Sequence, residues 1–126
     1  MTTGSVDLVR ARNQRLAELC ADIRRDPATI RRSVATGFLI GRTRDELRER
    51  SRRLQSLVPP LARVQLDDVP GAAREMGWVV GRPVEIVAAL QPLAQTGVDL
   101  AILGHYDLDD VAALESIAAD VMPALA

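Results

Sequence analysis

Ile30-Arg31-Arg32-Ser33-Val34-Ala35-Thr36-Gly37-Phe38-Leu39-Ile40, followed at once by Gly41-Arg42-Thr43-Arg44-Asp45-Glu46, is the stretch on which the fold turns. Val34 and Thr36, and the apolar run from Phe38 to Ile40, predict a strand over 30–40 that is buried at its far end. Gly41-Arg42 breaks it. Thr43, with Glu46 three residues on, forms a capping box in which each side chain satisfies the other's backbone amide. The box opens an Arg-rich helix carrying Leu47, Leu54 and Leu57, which Pro59-Pro60 stops.

Upstream, Leu8, Val9, Leu16, Leu19, Cys20 and Ile23 draw one apolar stripe along a helix from Ser5 to about Arg25, with Ser5 as its N-cap. Asp26-Pro27 interrupts it, and Pro27 opens a short turn through Thr29. Downstream, residues 59–82 carry the weakest pattern: a turn at Asp67–Gly71, a helix around Gly71–Met76 and a short extended piece at Trp78–Val80. Pro83 is placed as the first residue of a helix with Ile86, Val87, Leu90 and Leu93 on its apolar face, kinked by Pro92 and ended by Gly97. Val98–Leu103, between Gly97 and Gly104, has the signature of a strand covered on both faces. Asp107 is then expected to cap a last helix whose stripe is Val111, Leu114, Ile117, Ala118, Val121, Met122 and Leu125. Strands alternating with helices imply parallel pairing and an α/β fold.

A length of 126 residues is one domain's worth, spanning 1–126, against a prior of ~100–200 residues per domain. No apolar run approaches the ~20 residues that cross a bilayer. The amino end lacks the positive flank and apolar stretch of a secretory signal, and the single Cys20 has no internal disulfide partner. These features predict a cytoplasmic protein with no membrane association. Aromatics are 2% of the chain, so the stacking platforms of single-strand nucleic-acid binders are missing and no nucleic-acid partner is expected. One Cys and one His supply no metal-ligand cluster. Charge is divided: up to Arg63 there are 14 Arg against 7 acids, and beyond it 2 against 10, so the halves carry +7 and −8. Such a split predicts solvated helix faces, with the acidic half of the molecule or of a partner near the basic one.

Three stretches together resemble a known family. They are Arg25-Asp26-Pro27-Ala28-Thr29-Ile30-Arg31-Arg32-Ser33; Gly77-Trp78-Val79-Val80-Gly81-Arg82-Pro83-Val84-Glu85; and Gly97-Val98-Asp99-Leu100, running on to Asp107-Leu108-Asp109-Asp110 and Val121-Met122-Pro123-Ala124-Leu125. In this order and spacing they resemble the carboxyl-terminal part of luciferase-like oxidoreductases, closest to the class that uses the deazaflavin coenzyme F-420, with FMN-dependent monooxygenases nearby. The family's fold is a (β/α)8 barrel of the TIM type, which takes ~250 residues. The resemblance therefore implies a partial barrel: the last βα units, with about two parallel strands and four to five helices. It implies hydride transfer between F-420 or FMN and a small-molecule substrate, with most cofactor-holding groups on earlier strands not encoded here. The isolated chain is expected to be inactive. It would need a complementing amino-terminal barrel chain or further copies of itself, a homo-oligomer. The alternative is a non-enzymatic barrel remnant or interaction subunit.

In such a barrel the loops at the carboxyl ends of the strands do the work. Gly41, Arg42 and Thr43 lie before a helix N-terminus, where free amides and the helix dipole attract a phosphate, although the same residues also make an ordinary strand-to-helix turn. His105 and Tyr106 follow the second strand and are the candidates for proton transfer or a hydrogen bond to a cofactor; a rim position with no chemical duty is the competing reading. Arg82 stands where the family usually has a small hydroxylic N-cap, and it is placed in a surface loop. Trp78 is expected to anchor a loop, and Cys20 to lie in the core.

Overall fold

The computed structural model describes residues 6–126, so Ser5, the expected first N-cap, lies outside the described residues. The expected strand forms as β1, Ser33–Ile40, preceded by helix α1, Val6–Asp22, and a single 3-10 turn at Pro27–Thr29. Asp26 caps that turn by accepting from the Ala28 amide at 2.9 Å. After β1 come α2, Arg44–Leu57, and α3, Val69–Glu75, with two short 3-10 turns between them. Then follow β2, Val79–Gly81, α4, Pro83–Ala94, and β3, Leu100–Gly104. The chain closes with α5, Val111–Ser116, a π-helical turn at Ile117–Val121, and α6, Met122–Leu125.

The sheet is parallel, open and three-stranded, in the order β2-β1-β3. The two strands expected from the sequence lie side by side in the same direction, with Ser33 opposite Leu100 and Gly37 opposite Gly104. The third, β2, grows from the extended piece at Trp78–Val80 and pairs with Phe38, Leu39 and Ile40 alone. No cylinder closes among the described residues. Alternation along β1 divides the core. Val34, Phe38 and Ile40 pack with Ile86, Leu90 and Leu93 of α4 and Ile117 and Val121 of the last helix. Leu39 points the other way, to Leu54, Leu61, Val69, Ala73, Trp78 and Val80. This second cluster covers only the carboxyl end of the sheet, because α2, α3 and the residues between them pack there; Ser33 and Ala35, on the same face lower down, are exposed.

Four expectations need correction. β3 is not covered on both faces: Leu100 is 52% and Ile102 49% exposed, because β3 is an edge strand and the second helical layer stops short of it. The cap of the last helix is Asp110, which accepts from the Ala113 amide at 3.1 Å, and not Asp107. Its stripe is also displaced. Ala113, Ser116, Ile117 and Val121 are buried, while Val111, Leu114, Met122 and Leu125 are exposed. Small residues at 113 and 116 let the helix approach the sheet. Pro123 has no amide to donate and crowds the Ala119 carbonyl, which favours the wider turn in which the Met122 amide reaches back to the Ile117 carbonyl. The first stripe is likewise only partly covered: Val9 and Cys20 are buried, Leu19 is exposed, and Ile23 is exposed beyond the end of α1. Cys20 is a core residue, as expected, and Trp78, expected to anchor a loop, packs into the second core cluster.

Candidate functional site

The carboxyl ends of β1 and β3 bring together the two candidate loops, but not into one pocket. After Gly104 the chain turns out through His105, whose ring stacks on Phe38 with centroids 5.3 Å apart and planes 16° from parallel. His105 Nε2 lies 2.9 Å from the Asp110 carbonyl oxygen. A carbonyl only accepts, so Nε2 carries the proton in the neutral ring and Nδ1 keeps its lone pair for a proton. Tyr106 turns to the other side of the loop. It is half exposed and stacks on Trp78 at 4.9 Å.

Two arginines of α2 hold this loop. Arg50 donates from Nε to Asp110 Oδ2 at 2.8 Å and from a terminal nitrogen to the Ile40 carbonyl at 3.1 Å, tying the end of β1 to the cap of α5. Arg53 grips both oxygens of Asp107 with two donors, which raises the Arg53 pKa above its ordinary value chiefly through that hydrogen bond. Burial pushes the Asp110 carboxyl up, but the bonds from Arg50 and the Ala113 amide, with the charges of Arg50 and Arg53, outweigh it and hold the group below the usual aspartate value. The cleft lined by Phe38, Arg50, Leu54, His105, Asp110 and Ala113 has about 20 Å³ of room, enough for a water and too little for an organic substrate. The larger space is an open groove of about 310 Å³ on the outer face, floored by Ala35, Gly37, Ile102 and Gly104 and walled by Trp78 and Tyr106.

In the expected phosphate turn the Gly41 and Arg42 amides and the Arg42 side chain are engaged. Thr43 Oγ1 accepts from the Glu46 amide at 3.1 Å, as a cap should, but the Glu46 carboxylate takes the amide of Arg42 at 2.7 Å and not that of Thr43. The Arg42 guanidinium bonds Asp120 at 2.7 Å, and this bond is the main cause of its raised pKa. The same device recurs at the next crossover, where Glu85 accepts from the Arg82 amide at 2.7 Å. In both Gly-Arg turns a glutamate one helical turn on occupies the place an anion would take. The residues of the 41–43 turn therefore do not fit a phosphate without displacing Glu46 and Asp120.

The pairs Arg50–Asp110 and Arg53–Asp107 did not stand out as a site in the sequence. A signal was there: an i, i+3 pair of arginines on one helix and an i, i+3 pair of aspartates in a later loop. The predicted proximity of basic and acidic halves is realised within the molecule, through Arg42–Asp120, Arg48–Asp67, Arg50–Asp110 and Arg53–Asp107. Among the described residues no group of His, Cys, Asp and Glu is placed to hold a metal, and no helix is long and apolar enough to cross a membrane. No family model, curated protein or solved structure matches this chain.

Proposed function

We propose that the chain is the carboxyl-terminal part of a luciferase-like oxidoreductase that uses coenzyme F-420 or FMN for hydride transfer, and that it supplies the last strands of a TIM-type barrel. The observation that carries this reading is the unfinished sheet. β2 meets β1 only at Phe38–Ile40, so β1 from Ser33 to Gly37 on that side, and the whole outer side of β3, have no strand neighbour among the described residues. Uncharged, unprotected edges of this kind are made to be paired. The exposed patch between them, floored by Ala35, Gly37, Ile102 and Gly104 with Tyr106 at its carboxyl end, is the surface that complementing strands would cover; α2, α3 and Trp78 fill the rest of that face, and His105 stacks on Phe38 on the other. When bound, F-420 or FMN would supply the hydride chemistry; this chain's contribution is a flat wall beside Tyr106, while His105 faces the separate cleft beside Phe38 and Asp110. Gly41, Arg42 and Thr43 hold no phosphate in this reading while Glu46 and Asp120 engage their donors.

The test is complementation. Co-expression with a luciferase-like enzyme lacking its last three βα units should give a complex that binds F-420 or FMN, whereas the chain alone should not bind either at micromolar concentration. Failure to assemble, or tight binding by the lone chain, overturns the proposal. The engaged phosphate turn favours a second reading, a non-enzymatic interaction subunit. Assembly without cofactor binding or turnover selects it.

A further inference from the structure

At the end of the sheet opposite His105, α1 and the unpaired start of β1 enclose a groove of about 240 Å³, for which a complementing strand would compete. Its polar walls include Arg12, from α1, with Arg32 and Ser33, from the entry to β1; its apolar walls include Val9, Leu16 and Val98. Arg32 Nε is withdrawn from water and has no hydrogen-bond partner, the one such side-chain nitrogen or oxygen among the described residues. A buried donor without an acceptor is destabilising, and native structures seldom keep one without a reason. Neither Arg12 nor Arg32 faces a carboxylate within ion-pair distance, although eight other arginines of the described chain do. Asp99, the acid bonded to this segment, is turned to the backbone: its Oδ2 accepts from the Arg32 amide at 2.8 Å. The Arg32 guanidinium lies over Gly97, 3.3 Å from where a Cβ would stand, so a residue without a side chain makes room for it.

We infer that this groove binds a small phosphate monoester, its phosphoryl group between Arg12 and Arg32 and its aliphatic stem against Val9, Leu16 and Val98. Two guanidinium groups match a dianion in charge and present the planar forks that phosphoryl oxygens accept. The apolar half of the lining separates a monoester from free phosphate, since each buried methylene strengthens binding by roughly fourfold.

Calorimetric titration of the full chain at low ionic strength tests this, with n-butyl phosphate, inorganic phosphate and n-butanol as probes. Butyl phosphate should bind at least tenfold more tightly than inorganic phosphate, and butanol should give no heat. Arg12→Gln and Arg32→Gln should each weaken butyl phosphate tenfold or more, Arg32→Lys should lose part of the affinity, and Arg63→Gln, outside the groove, should change nothing. No binding of butyl phosphate at millimolar concentration to the folded chain, equal binding of the two phosphates, or affinity unaltered by the Gln variants would overturn the inference. If Arg32→Gln lowers the folded fraction by circular dichroism, Arg12→Gln decides the matter, because Arg12 is exposed on its helix.

Discussion

The central strand has two neighbours that run in the same direction but differ in length and burial. β2 is three residues long and buried throughout; β3 is five residues of almost wholly apolar sequence and is largely exposed. Hydrophobicity is similar on both sides of β1, so composition did not decide burial. What differs is the second layer. α2, α3 and Trp78 cover the carboxyl end of the sheet on the side of β2, and nothing among the described residues covers the corresponding face of β3. An apolar strand with an open edge is a surface, and its energetic weight in the isolated chain should be small.

Substitutions can break this contrast. The largest effect is expected at Ile86, fully buried between α4 and β1: Ile86→Ala should cost about 2–5 kcal/mol in a urea titration. Asp110→Ala should come next, at about 2–3 kcal/mol at pH 7, because it strands the Arg50 guanidinium; the 12% exposure of both side chains keeps the cost below that of a fully buried pair. Its carboxyl is held below its unfolded value, so the stability it contributes is present above about pH 4 and is lost as acid protonates it. The gap between wild type and Asp110→Asn should therefore narrow as pH falls toward 3. Gly37→Ala should cost about 1–3 kcal/mol, since a Cβ there would stand 2.3 Å from the indole of Trp78, and it should shift the emission of that single tryptophan. Ile102→Ser, on the open face of β3, should change stability by less than about 1 kcal/mol. A cost at Ile102 comparable to that at Ile86 would mean that β3 is covered in solution.

The site was legible in part. His105 and Tyr106 were found because a lone His and a Tyr directly follow an apolar run, and the structure does bring them to the end of the sheet. Glu46 was seen as half of a capping box. Its second role was not, because whether a helix-end carboxylate reaches the amide of Thr43 or that of Arg42 depends on a bond geometry that no spacing specifies. Asp107 was expected to cap the last helix, and Asp110 does so instead. Arg53 and Arg50, more than fifty residues away in sequence, allotted them different duties.

Local chemistry in the sequence determined the elements: β-branched and apolar runs made β1 and β3, Thr43 and Pro83 opened their helices, and Gly97 ended one at a φ of 88° that favours glycine. Parallel pairing followed from their alternation. Tertiary structure alone decided which side of each apolar element is covered, and whether each charge near a helix end meets a ligand or another part of the chain. Burial and ion pairing are properties of neighbours distant in sequence, and a stripe or a spacing records only that an element is able to be covered or paired.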